Sequence, residues 1–115
     1  MHIQTELYGD ILIFKPDTDI MDADNAREFK DAMMPILKKH GKILFDMTAI
    51  TFLDSSGCGA VLSCLKSATD KNGDLKVFGL NKNVRILFEL VRLHKIIEIF
   101  DTKEKAVASF LPPQP

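Results

Sequence analysis

The chain has 115 residues, a formal net charge of -1, 46% hydrophobic and 27% charged residues. That is one domain with one core, and it excludes both a two-domain enzyme and an electrostatic attraction to nucleic acid. No apolar run reaches the length needed to span a bilayer, so no direct membrane insertion is expected. The start, Met1 to Glu6, lacks the basic and apolar regions of a signal peptide, and a cytoplasmic location follows as the default.

Ile3 to Tyr8 and Ile11 to Phe14 are β-prone, with Gly9-Asp10 between them, which predicts a hairpin. Lys15-Pro16-Asp17 closes the second strand, because proline cannot continue a ladder. Asp22 is the expected N-cap of a first helix whose apolar face is Ala26, Phe29, Met33, Ile36 and Leu37. Pro35 should kink that helix or shorten it, and Gly41 is its natural stop. Lys38-Lys39-His40 reads as a solvated run that favours the negative helix end.

Ile43 to Phe45 reads as a buried central strand. After Thr48 to Leu53 comes Asp54-Ser55-Ser56-Gly57-Cys58-Gly59, which opens a second helix from about Ser56 to Lys71. Cys58, Val61, Leu62, Leu65 and Ala68 form its apolar stripe, and Asn72-Gly73 ends it. Asp74 to Phe78 is a strand ended by Gly79. Asn81 caps a third helix with Val84, Leu87, Phe88 and Val91 on its apolar face. Ile96 to Phe100 reads as the last strand, and Asp101 or Thr102 caps a helix carrying Ala106, Val107 and Phe110. Strands alternating with helices imply parallel crossovers and an α/β fold. The expected architecture is a mixed sheet of about five strands, with the N-terminal hairpin and about four helices packed on it. Residues 1–111 form one domain, and 112–115 form a proline-rich frayed tail.

The stretch from Asp54 to Gly59 holds the most chemistry. A helix N-terminus presents unpaired N–H groups and partial positive charge. Asp54 or Ser55 there reads as an N-cap, and a serine there is also placed to carry a phosphate. Gly57 and Gly59 each cost about 1 kcal/mol inside a helix. Their smallness serves either a close-approaching partner or packing on the chain's own core. Cys58 and Cys64 lie about 9 Å apart along one helix, beyond the ~7 Å reach of a disulfide, and point to different sides, so both are expected reduced.

No catalytic constellation accompanies these residues. The G-x-S-x-G elbow, the phosphate-binding G-x-x-x-x-G-K-[ST] loop and the dinucleotide G-x-G-x-x-G pattern are absent. His2, His40 and His94 lie far from Ser55 in sequence, and no Cys/His spacing suits zinc. Asp17, Asp19, Asp22 and Asp24 lack the glycine and glutamate of an EF-hand loop. No cofactor and no metal are expected. A small hydrolase or nucleotide-binding protein using Ser55 stays open as the reading from another class.

Ile43-Leu44-Phe45-Asp46-Met47-Thr48, followed by Phe52-Leu53-Asp54-Ser55-Ser56-Gly57-Cys58-Gly59, resembles the STAS domain, the fold of sulfate transporters and anti-sigma-factor antagonists. Leu75 to Leu80, Val84-Arg85, Leu87 to Leu90, Ile96 to Asp101 and Asp22 extend the resemblance over about Ile3 to Phe110. Within that group the chain is most similar to the stand-alone bacterial antagonists. The resemblance implies a non-catalytic module with Ser55 as phosphoacceptor. Its unphosphorylated form would bind an anti-sigma factor that is also a serine kinase and so release a sigma factor. Phosphorylation would end binding, and a serine phosphatase would restore it. Asp22, Asp54, Ser56, Gly57 and Gly59 would form the partner surface, with Asp54 orienting the loop and Ser56 capping the helix. A scaffold subunit of a stressosome-like or membrane transporter complex is the alternative within the fold. Cys58, where the family has a bulkier apolar residue, and Pro35 depart from the pattern.

Overall fold

The computed structural model describes residues 1–112. The strands are β1 (Ile3–Tyr8), β2 (Ile11–Pro16), β3 (Ile20–Met21), β4 (Lys42–Asp46), β5 (Phe52–Leu53), β6 (Asp74–Phe78) and β7 (Ile99–Phe100). The helices are α1 (Ala26–Leu37), α2 (Ser55–Thr69), α3 (Lys82–Leu90) and α4 (Lys103–Phe110). Five strands form one sheet in the order β1-β2-β4-β6-β7. β1 and β2 are antiparallel, and the remaining neighbours are parallel. The hairpin and mixed sheet are those expected from the sequence. Gly9, at φ 61, supplies the positive dihedral that its two-residue loop needs.

β4 is the middle strand, and Ile43, Leu44 and Phe45 are all fully buried. A strand covered on both faces has no polar alternation, which is why this run reads as continuous hydrophobe. On one face Leu12, Phe14, Ile43, Phe45, Leu75 and Val77 meet the apolar sides of α1, α2 and α3. Phe14 and Phe29 both pack on Phe45, with ring centroids 4.4 and 5.8 Å away. On the other face Ile11, Ile13, Leu44 and Phe78 are covered by Ala106 and Val107 of α4.

Lys76, on that second face, is buried. Its Nζ donates to the Ser109 carbonyl at 3.1 Å and to Ser109 Oγ at 2.8 Å, and it lies 3.4 Å from Glu98. It also sits 4.4 Å from the Phe110 ring centroid. A buried ammonium needs such partners, and they clamp the end of α4 to β6.

Several boundaries differ from the sequence reading. Asp22 is not the cap of α1, because residues 22–25 are spent on a turn. Asp22 Oδ1 accepts from the Asp24 N–H, Asn25 Oδ1 accepts from the Asp22 N–H, and Asn25 holds the N-cap position. Pro35 is accommodated near the end of α1, which stops at Leu37 rather than at Gly41. Gly41 instead meets the α2–β6 turn: its carbonyl accepts from the Asp74 N–H at 2.9 Å. A Cβ on Gly73 would lie 1.9 Å from that carbonyl oxygen. α2 begins at Ser55 and ends at Thr69, and Asn72 takes a left-handed φ of 59 behind it.

Leu62 and Val91 are exposed, and the buried side of α2 is Gly57, Cys58, Ala60, Val61, Cys64 and Ala68. Both cysteines are free, and both are buried in the same core cluster. The last strand shortens to Ile99–Phe100, because Leu93–Lys95 form a 3-10 turn and Ile97 drops into the core. Thr102, not Asp101, caps α4. Of the predicted tail, Pro112 carries no regular structure, and residues 113–115 lie outside the described residues.

Candidate functional site: the capped start of α2

The connection from β4 to α2 is tied down along its length. Thr48 donates through its N–H and hydroxyl to Asp46 Oδ1, at 2.9 and 2.6 Å. Thr51 N–H donates to the Asp19 carbonyl at 2.7 Å. Asn81 caps α3 through Oδ1 and donates its Nδ2 to the Ile50 carbonyl at 3.2 Å. β3 and β5 then pair in parallel, Ile20 with Phe52 and Met21 with Leu53, forming a second small sheet.

Asp54 follows directly and is the true cap of α2. Its Oδ1 accepts from the Gly57 N–H at 2.9 Å, while Oδ2 accepts from the Ala23 N–H at 3.2 Å. Its own N–H donates to the Met21 carbonyl at 3.2 Å. One carboxylate therefore caps the helix and staples the loop before α1 to it. Ser56 is not the cap, because Asp54 already occupies that geometry. Ser55 is the first helical residue. It and Ser56 are exposed, and neither hydroxyl carries the capping bond.

The two glycines divide the alternatives left open by the sequence. Gly57 is buried, and a Cβ there would fall 2.4 Å from the Met21 carbonyl oxygen and 2.5 Å from Leu53 Cδ1. Its smallness lets α2 rest on the chain's own β3–β5 pair. Gly59 is exposed and would meet nothing within 4 Å. Its helical cost therefore has no internal return. Asp22, half-buried, lies one residue before Ala23, whose N–H is held by Asp54, so the turn before α1 and the start of α2 share one surface.

The pairing of Ile20 with Phe52 escaped the sequence reading. Ile20 and Phe52, paired side by side, remain 39% and 52% exposed and make an apolar ledge next to the serines. A two-residue pairing is too short for periodicity to reveal; the only signal was an apolar Ile beyond the end of the second strand.

Burial raises the Cys58 thiol above its ordinary range, and the nearby Asp54 charge adds to the effect. Burial pushes the Cys64 thiol up to about 12. Neither is a nucleophile at neutral pH. Among the described residues no His/Cys/Asp/Glu group could hold a metal ion. No helix there is long and apolar enough to cross a membrane.

Fold and site together define a small mixed α/β domain whose exposed chemistry gathers at one capped helix start. The chain belongs to the STAS domain family, whose sequence model matches residues 2–106. It is 35% identical over 80 residues to the anti-sigma-B factor antagonist of Listeria monocytogenes, covering 69% of this chain and 70% of that protein. Its fold is similar to that of the anti-sigma factor antagonist SpoIIAA in its unphosphorylated form. There the TM-score is 0.76 at 18% identity, covering 94% of this chain and 95% of that one. The phosphorylated form of Bacillus SpoIIAA gives a TM-score of 0.69 at 17% identity, covering 94% and 98%. The curated relatives are anti-sigma factor antagonists.

Proposed function

We propose that this chain is a phosphorylation-controlled anti-sigma factor antagonist with Ser55 as its acceptor. Unphosphorylated, it binds an anti-sigma factor that is also a serine kinase, and a sigma factor is released. Phosphate on Ser55 ends that binding, and a serine phosphatase restores it. The chain itself acts by binding, without catalysis of its own. The observation that carries the reading is the division of labour at α2: Asp54 does the capping, which leaves the exposed Ser55 hydroxyl without a structural task. The names of the curated relatives, and the existence of SpoIIAA in both phosphorylated and unphosphorylated forms, support it.

The physics of the switch is local. A phosphate adds about −1.5 to −2 charge. On Ser55 it meets the positive end of α2, so the fold tolerates it. On the outer surface it joins Asp54 and Asp22. A partner fitted to a neutral hydroxyl, Ser56 and the open backbone at Gly59 then faces repulsion and desolvation of order several kcal/mol. About 3 kcal/mol is already a hundredfold in affinity. Gly57 contributes from beneath, by seating the helix.

The test is phosphate transfer. Purified protein is incubated with ATP and candidate anti-sigma kinases, the modified peptide is mapped by mass spectrometry, and complex formation is measured before and after. Phosphate on Ser55 with at least a hundredfold loss of binding is the expected result. A folded Ser55→Asp protein that binds as tightly as wild type overturns the proposal.

A further inference from the structure

Among the described residues, β1 lies at the edge of the sheet and pairs with β2 alone. The free side of a strand at an edge offers unpaired N–H and C=O groups, and proteins blunt such edges with lysine, proline or bulges. β1 has none of these. Its sequence is IQTELY, and its register with β2 runs unbroken from Ile3–Pro16 to Tyr8–Ile11. Its one charge, Glu6, is already paired with Lys103. Leu7 and Tyr8 are 60% and 56% exposed.

The ladder shows which groups point outward. The Asp17 N–H donates to the His2 carbonyl at 2.9 Å, continuing the β1–β2 register. In an antiparallel pair, residues alternate between bonding inward and bonding outward. The even-numbered residues of β1 therefore bond β2, and Ile3, Thr5 and Leu7 turn their N–H and C=O groups to the free edge.

We propose that β1 pairs antiparallel with β1 of a second copy of this chain, about a two-fold axis through Thr5, joining the two sheets into one. With Thr5 facing Thr5 of the second copy, Ile3 faces Leu7 of that copy and Gln4 faces its Glu6. All three outward-pointing residues then find outward-pointing partners, giving roughly six backbone hydrogen bonds at two per pair. The apolar Ile3–Leu7 pairs cover Leu7, and Gln4 meets Glu6 as a hydrogen-bond donor. The alternative register centred on Glu6 sets two like charges directly opposite and loses bonded pairs, so self-complementarity selects the Thr5 register. No residue of the Ser55 surface lies on β1, so this contact is independent of the proposed switch.

Sedimentation velocity over roughly 1 to 300 µM tests it, a range that brackets micromolar association. Wild type should pass from monomer to dimer. Thr5→Pro removes an outward N–H without touching the β2 ladder, and should weaken the dimer at least tenfold. The register is read by charge. Gln4→Lys, placed opposite Glu6 of the second copy, should tighten the dimer by roughly 2- to 5-fold, and Gln4→Glu should weaken it by a similar factor. A monomer throughout the range overturns the proposal. So does a dimer that responds identically to Gln4→Lys and Gln4→Glu, whatever Thr5→Pro does to the fold.

Discussion

Gly57 and Gly59 lie two residues apart in α2, yet different demands act on them. At Gly57 the demand is steric and internal. Gly57→Ala forces a methyl against the Met21 carbonyl, a backbone atom that cannot swing away. It should destabilise the fold by about 1–3 kcal/mol. At Gly59 the space is open. Gly59→Ala should stabilise the helix by roughly 0.5–1 kcal/mol, through the lower entropy of the unfolded chain. Urea denaturation of the two variants should therefore give opposite signs; equal destabilisation would refute the assignment of Gly59 to the outer surface. Cys64 makes a different prediction. Its folded-state pKa is raised from 9.0 to about 12, so its stabilising contribution is full below pH 9 and declines as pH rises through that window. Denaturation midpoints measured across it should fall for wild type, and the slope should flatten in Cys64→Ala.

At the scale of elements, α4 depends on a contact that its own sequence does not advertise. It is a helix of 8 residues and, among the described residues, the one helix on the second sheet face. So short a helix is not stable by itself and needs packing to hold it. Ala106, Val107 and the partly buried Phe110 supply part of that, and the Lys76 clamp on Ser109 adds to it. Lys76→Ala should cost on the order of 2–3 kcal/mol, as loss of a buried polar network does. Hydrogen exchange should speed up in α4 well before β4, while unchanged protection of α4 would remove the clamp from the account. At the other end of the molecule, Asp54 joins α2 to the turn before α1. Asp54→Ala should cost about 1 kcal/mol for the cap. Exchange at the Ala23 amide should rise at the same time, because that amide loses its acceptor.

Over the whole molecule, the parallel strands require the chain to return from one end of the sheet to the other through α1, α2 and α3. Those returns bring loops distant in sequence into contact. Gly41 and Gly73 belong to successive crossovers and touch backbone to backbone. Neither could be assigned that role from its neighbours: Gly41 looked like the stop of α1, and Gly73 like the end of α2. The same crossovers gather the turn after β3, the end of β5 and the start of α2 into one surface. Asp22 and Asp54 are far apart in sequence and are joined through Ala23.

What the residues determined by themselves was whatever rests on local pattern. The hairpin follows from Gly9-Asp10 between β-prone runs, α1 from its apolar spacing, the buried β4 from Ile43-Leu44-Phe45, and the helix start from Asp54-Ser55. Backbone preference and the burial of apolar side chains act over a few residues, so they are legible in order along the chain. Tertiary structure decided which of several competent groups does each task. Asp54 rather than Ser56 caps α2, Asn25 rather than Asp22 precedes α1, and Gly57 faces inward while Gly59 faces out. It also decided that Lys76 is buried and that Ile20 meets Phe52. These outcomes turn on hydrogen-bond partners and steric neighbours contributed by distant segments, and local preference is nearly degenerate among the candidates until those segments are in place.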